Sequence, residues 1–136
     1  MPLSVDWYIP YRVAEARLWG VLSVEEMQHY ADECVRVLTE SETHAPGKRT
    51  YMIMDALELE SIPPVYLMLK QALPVLRFKS RDAMFLITRN QAIRNILELT
   101  AHVTKFKLHT FATREEALRA VDDALRRSDL AHITTQ

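Results

Sequence analysis

With 136 residues, the chain has the size of one domain and is long enough to bury a core without disulfides or metals. Hydrophobic residues at 49% and charged residues at 26% match ordinary globular usage, which argues against disorder and against a membrane class. The 17 Lys+Arg against 18 Asp+Glu give a formal charge of -1 with no basic stripe, so nucleic acid is not expected as a partner.

The first residues, MPLSVDWYIPYRV, lack the basic start, apolar run and cleavage site of a secretory signal, and no apolar run is long enough to span a bilayer. A cytoplasmic protein without membrane insertion is expected. Val5 to Ile9 and Tyr11 to Trp19 read as two strands joined at Pro10, forming an antiparallel hairpin near a sheet edge. After Gly20, Ser23-x-x-Glu26 is a capping box, in which the hydroxyl and the carboxylate each take an orphaned backbone N–H at a helix start. Met27, Tyr30, Ala31, Cys34 and Leu38 then recur at three- and four-residue spacing, so the helix lays one apolar stripe on the sheet before a polar loop from Ser41 to Lys48. Cys34 is the only cysteine, which excludes an internal disulfide and a multi-cysteine zinc site and makes it a small core residue.

Tyr51-Met52-Ile53-Met54 is short and continuously apolar, as a strand covered on both faces should be, and Asp55 is expected to close it. Ala83 to Ile87 repeats the pattern. Thr88 with Gln91, or Asn90 alone, caps the helix that follows, whose inward residues are Ala92, Ile93, Ile96, Leu97 and Thr100. Phe106, Leu108 and Thr110 alternate with Lys107, His109 and Phe111 in a less buried strand. Thr113-x-x-Glu116 opens a last helix with Ala117, Leu118, Val121 and Leu125 facing in, and Arg126-Arg127 suits its negative end. The expected architecture is α/β, with a mixed, mostly parallel sheet of about five strands and about four helices. It forms a single domain over residues 1–127, followed by a polar tail at 128–136.

The segment Ile62 to Phe78 is the least ordinary, because it carries two apolar stripes where an amphipathic helix needs one. Val65, Leu69, Ala72 and Leu76 share one side, expected to face the core. Leu67, Pro74 and Phe78, with Gln71 among them, share the other, expected to be an interaction surface. Alternatively Pro74 ends or kinks the helix and turns Phe78 back into the core.

Asp55 and Thr88 stand at strand exits, where open α/β sheets bind ligands, as in response-regulator receivers. The acidic pair and the lysine that a receiver also needs are missing, so Asp55 reads as a loop-capping carboxylate. His29 and Glu33 have the spacing of a surface i,i+4 pair rather than a metal site. Trp7, Tyr8, Tyr11 and Trp19 pack a sheet edge or line an apolar pocket. With only Gly20 and Gly47, no glycine-rich phosphate cradle forms, and no activated nucleophile is recognisable. No enzyme activity, cofactor or metal is expected.

The order strand, strand, helix, strand, helix, strand, helix, strand, helix resembles the SpoIIAA-like (STAS-like) fold of anti-sigma factor antagonists over nearly the whole domain. The stretch from Val13 to Ser23, which ends a strand in Gly before a polar cap (RLWGVLSVEE), is similar to that group. So are YMIMDALELESI from Tyr51 to Ile62 and FATREEALRAV from Phe111 to Val121. The resemblance implies a non-enzymatic regulatory or scaffolding domain that binds a protein partner or a second copy of itself. The expected contact residues are Ser61, Ile62, Pro64, Leu67, Gln71, Pro74 and Phe78. In the anti-sigma factor antagonists the loop after the central strand carries a phosphorylated serine in an Asp-Ser-Ser-Gly-like motif. Here that loop reads Ser61-Ile62-Pro63-Pro64, which leaves Ser61 as a neighbouring candidate, a phosphate near a helix N-terminus being favoured, or as a simple helix cap. The alternative function is a small carrier or sensor of an apolar, lipid-like ligand. Its pocket would lie between the helix starting near Pro64 and the sheet, with Met52, Met54, Met68 and Met84 as adaptable lining.

Overall fold

The computed structural model describes the backbone of residues 2–134 and the side chains of residues 2–129. Its elements run β1 (Leu3–Ile9), β2 (Val13–Val21), α1 (Val24–His44), β3 (Thr50–Ser61), α2 (Val65–Leu76), β4 (Arg81–Ile87), α3 (Gln91–Thr104), β5 (Lys107–Phe111) and α4 (Arg114–Thr134). The five strands lie in the sheet in chain order, with β1 antiparallel to β2 and all later pairs parallel. Each crossover from β2 onward therefore steps the same way across the sheet. Because such crossovers are right-handed, α1, α2 and α3 must all fall on one face. Helix α4 follows the last strand, is free of that constraint, and covers the other face.

Two cores result. On the three-helix face, Met27, Tyr30, Cys34 and Leu38 of α1 pack with Met68 and Val75 of α2, Ile93 and Leu97 of α3, and Met52, Met54 and Leu86 of the sheet. On the opposite face, Ala117 and Val121 of α4 pack on Val13, Tyr51, Ile53, Ala83, Phe85 and Ile87. Strand β3 feeds both, which is why its first half is apolar without alternation.

Local chemistry sets the boundaries. Ser23 forms the complete capping box with Glu26, whose carboxyl is held below its ordinary range by the Ser23 backbone N–H and hydroxyl. Asn90, not Thr88 with Gln91, caps α3, accepting from the Ala92 and Ile93 amides, while the Thr88 hydroxyl accepts from the Asn90 N–H. Ala92 is exposed rather than inward. Thr113 caps α4 through the Glu116 amide.

Several boundaries differ from the sequence reading. The hairpin turn takes residues 10–12, so β2 starts at Val13 rather than Tyr11, and it runs through Gly20 to Val21 instead of ending at Trp19. Helix α1 runs on to His44, through the start of the expected loop, because Ser41 is completely buried and has internal partners. Residues 128–134 of the expected tail continue α4, and the last two residues of the chain lie outside the described residues. Strand β3 does not close at Asp55. Its pairing with β4 stops at Asp55 and Ile87, yet it continues along β2 to Ser61 with one extra residue between Asp55 and Glu58 and another between Leu59 and Ser61. The second bulge faces Gly20 and Val21, and Gly20 has φ +71, which a side chain would disfavour.

The Ser41 hydroxyl donates to the Tyr11 carbonyl at 2.9 Å and is hydrogen-bonded to the Thr50 hydroxyl. It thereby ties α1 to the hairpin at Tyr11, a non-glycine residue with φ 63, and to the start of β3. Ser41→Ala should lower the unfolding free energy by about 1 kcal/mol, the net worth of one such bond. Urea titration checks this, and an unchanged midpoint would show the tie to be inert.

Candidate functional site

Helix α2 starts immediately after β3 and lies beside α1 and α3. It is the element whose two faces matter most. Its core-facing residues are Met68, Gln71 and Val75, each one position before the expected Leu69, Ala72 and Leu76. One residue is about 100° of helix rotation, so the outer face also moves by one. The exposed positions of α2 are Tyr66, Lys70, Leu73 and Pro74, followed by its C-cap Arg77; of the expected outer set only Pro74 is exposed, while Leu67, Gln71 and Phe78 are half-buried or buried. Gln71 is the reason. The helix angle predicts it on the outer face with Leu67, Pro74 and Phe78, but its amide nitrogen donates to the Val24 carbonyl of α1 at 3.0 Å, which holds the side chain in the core.

The expected contact residues therefore separate. Ser61, Pro64 and Pro74 are exposed; Ile62, Leu67 and Phe78 are half-buried; Gln71 is buried. Ile62 and Phe78 pack against the core, with the Arg77 guanidinium over the Phe78 ring at 5.3 Å. Helix α2 continues two residues past Pro74, to Leu76, and Phe78 just beyond its end turns back against the core. Ser61 is the last residue of β3 and does not cap α2, which begins after Pro64 without a side-chain cap. Tyr66 and Leu73, which the sequence reading missed as surface residues, are 70% and 63% exposed. No hydropathy signal could have separated them from Leu67 and Leu69, since all four are apolar. Leu99 and Val103 also stand exposed on the neighbouring α3.

Under α2 lies a cavity of about 100 Å³, bounded by α1, α2, α3 and the sheet. Met27, Met52, Met54, Met68 and Met84 contribute to its wall, as do Tyr30 and Gln71. Gln71 Oε1 and the Tyr30 hydroxyl are buried without a hydrogen-bond partner. An orphaned buried polar atom costs about 1–3 kcal/mol, so each is an unfavourable choice for a site that only has to pack. Cys34 also lines the cavity, and burial pushes its thiol from an ordinary 9.0 up to about 12. The same burial raises the Tyr30 hydroxyl well above its ordinary 10.0.

The remaining candidates are occupied with structural work. Asp55 is buried, accepts from the Leu57 amide at 3.2 Å and lies 3.8 Å from the Arg17 guanidinium, so it is not poised at a strand exit. His29 and Glu33 form the surface i,i+4 pair at 3.9 Å. Three of the four hairpin aromatics have separate partners. Trp7 meets Tyr11 edge to face at 5.7 Å and donates its indole N–H to Glu40, whereas Tyr8 lies beneath the Arg114 guanidinium at 5.9 Å. A second, polar groove between α4 and the β4–β5 edge carries Arg49, Lys107 and Arg127 with Asp82 and Asp123, and its opposite charges largely offset one another. Among the described residues, no group of three or more His, Cys, Asp or Glu is placed to hold a metal, and no helix is long and apolar enough to cross a membrane.

No family model and no curated protein sequence matches the chain. Solved structures do. The unphosphorylated anti-sigma factor antagonist SpoIIAA superposes with a TM-score of 0.61 at 15% identity, over 89% of this chain and 96% of that one. An anti-sigma factor antagonist from Mycobacterium paratuberculosis gives 0.60 at 19% identity, over 88% and 92%. An uncharacterised protein of the DUF3478 family with a SpoIIAA-like fold, from Shewanella loihica PV-4, gives 0.60 at 13% identity, over 88% and 91%. The chain has the SpoIIAA-like, STAS-like fold.

Proposed function

We propose that the chain is a cytoplasmic regulatory domain that works by binding another protein, with the outer face of α2 as its contact surface. The observation that carries this reading is the exposure of Tyr66 and Leu73, at 70% and 63%. Seven positions apart, they lie on one face of the helix, two turns from each other. Exposed apolar residues that share a face mark contact sites, and tyrosine is among the residues enriched as their anchors. Pro64 and Pro74 extend the surface along the helix, and Ser61 at its approach is exposed and accessible to phosphorylation. The structurally similar anti-sigma factor antagonists are named for an effect on other proteins, which supports a regulatory role without naming the partner. The surface serves equally for a second copy of the chain.

Tyr66→Glu combined with Leu73→Glu should weaken association by at least about tenfold, as expected when anchor residues are lost, while the far-ultraviolet circular dichroism stays unchanged. Sedimentation equilibrium reads self-association. A photo-crosslinking residue at position 73, compared with one at the exposed Arg119 of α4, reads a partner in extracts of the source cells. A monomeric wild type with no adduct specific to position 73 would remove this surface from consideration.

A further inference from the structure

Most acids of α1 are occupied within the chain. Glu26 closes the capping box, Glu33 and Glu40 both hold Arg36, and Glu42 accepts from the Ser80 amide and hydroxyl. Glu25 and Asp32 remain. Neither has an ion-pair partner among the described residues, and Asp32 only accepts from the Gln28 side chain of its own helix at 3.0 Å. Both are exposed, and at a spacing of seven residues they share one face of α1. Helix α2 is the opposite case. From Ser61 to Arg81 the chain carries Lys70, Arg77, Lys79 and Arg81 and no acid. Lys70 and the C-cap Arg77 are exposed, again seven residues apart, and interleave with Tyr66 and Leu73 on the outer face. Among the described residues, neither base has an ion-pair partner.

The two helices are set so that these charges match. Each follows one of two parallel strands and returns over the same face of the sheet, so α1 and α2 run side by side in the same direction. The hydrogen bond of 3.0 Å from the Gln71 side chain to the Val24 carbonyl fixes their relative height. At about 1.5 Å of rise per residue, Lys70 lies within roughly 3 Å of the height of Glu25, and Arg77 within roughly 3 Å of that of Asp32. A two-fold axis parallel to the helices preserves both height and direction, and it lays α1 of each copy on α2 of the other. Glu25 then meets Lys70 of the second copy, Asp32 meets Arg77 of the second copy, and the symmetry repeats both pairs. Leu73 comes opposite Val24 of the second copy, which is 40% exposed and gives the contact an apolar centre. The complement that the cationic face of α2 requires, two acids at the same spacing and height on a parallel helix, is thus carried by the chain itself. We infer that the outer faces of α1 and α2 form a self-complementary two-fold interface whose occupant is a second copy of this chain. The inference rests on the reading of the outer face of α2 as a contact surface and names its partner.

Charge reversal on either side tests the interface. Glu25→Lys with Asp32→Lys turns both outer faces cationic, and Lys70→Glu with Arg77→Glu turns both anionic. Each variant alone should therefore self-associate at least about tenfold more weakly than the wild type in sedimentation equilibrium, because like charges then face one another. An equimolar mixture of the two variants restores opposite charges at every pair and should associate to within about threefold of the wild type. All four positions are exposed, so the fold should survive, which far-ultraviolet circular dichroism checks. If one variant fails to fold, the other still reports the loss. A wild type that stays monomeric at millimolar concentration overturns the inference, and a crosslink from position 73 to a different protein would then leave α2 as the contact surface for that protein. A dimer that survives both reversals, or variants whose mixture stays dissociated, also overturns it. If a surviving dimer is equally untouched by Tyr66→Glu with Leu73→Glu, its contact lies elsewhere and the reading of the α2 face as the self-association surface falls with it.

Discussion

Phe85→Ala is expected to remove about 3–5 kcal/mol of unfolding free energy, the range for deleting a buried aromatic side chain. Phe85 is 2% exposed and sits at the centre of the smaller core, with ring centroids 6.0 Å from Tyr51, 6.1 Å from Phe111 and 5.4 Å from His109. The void left behind would collapse poorly. Strand β4 is hydrogen-bonded to strands on both sides and cannot shift, and a single helix, α4, forms the other wall. The polar ties of α4 cannot compensate. Arg114 holds Glu15 through two bonds of 3.0 Å and Arg12 holds Asp129 at 2.9 Å, but such partly exposed ion pairs contribute only about 0–1 kcal/mol each. Since domains of this size are stable by only about 5–15 kcal/mol, the loss should be visible as a large fall in the urea midpoint. Amide exchange should accelerate first in α4. Arg114→Ala, by contrast, should cost less than about 1 kcal/mol. A Phe85→Ala protein as stable as the wild type would mean that the α4 face is an accessory layer rather than a core.

The elements were legible in the sequence wherever period and capping agreed. Ser23 with Glu26 and the stripe from Met27 to Leu38 placed α1 and its buried face, and the apolar runs at Tyr51 and Ala83 placed the central strands. What stayed hidden depended on partners distant in sequence. The far half of β3 reads as a loop because the apolar run stops at the Asp55 carboxylate; it is a strand because β2 lies alongside and Gly20 lets the ladder bulge. Helix α2 was read one residue out of register because Gln71, polar by type, is held in the core by the Val24 carbonyl 47 positions earlier. With Gln71 inward beside Met68 and Val75, Tyr66 and Leu73 lie at the surface and Gln71 lies beside the cavity. The methionines expected to shape a pocket do line one, but its volume is too small for a lipid-like ligand. Neither the volume nor the orphaned oxygens can be inferred from a string of residue types.

Alkaline pH should destabilise the protein from about pH 9 upward, and the sign follows from burial. In the folded chain, loss of solvation pushes the Cys34 thiol from 9.0 to about 12 and the Tyr30 hydroxyl well above 10.0, while Tyr51 is raised in the same direction by its own burial. In the unfolded chain these groups release their protons at ordinary values. Between about pH 9 and 12 the folded state therefore holds more protons than the unfolded one, and stability must fall as pH rises. Below the unfolded values neither state has ionised these groups, and this contribution is fully retained. One thiol gives a slope of at most about 1.4 kcal/mol per pH unit, and Tyr30 adds to it above pH 10. Urea titrations at pH 8, 9, 10 and 10.5 should show the decline, and Cys34→Ala should delay its onset by about one pH unit, leaving the tyrosine component. Unchanged stability over that range would mean that water reaches Tyr30 and Cys34 in the folded state.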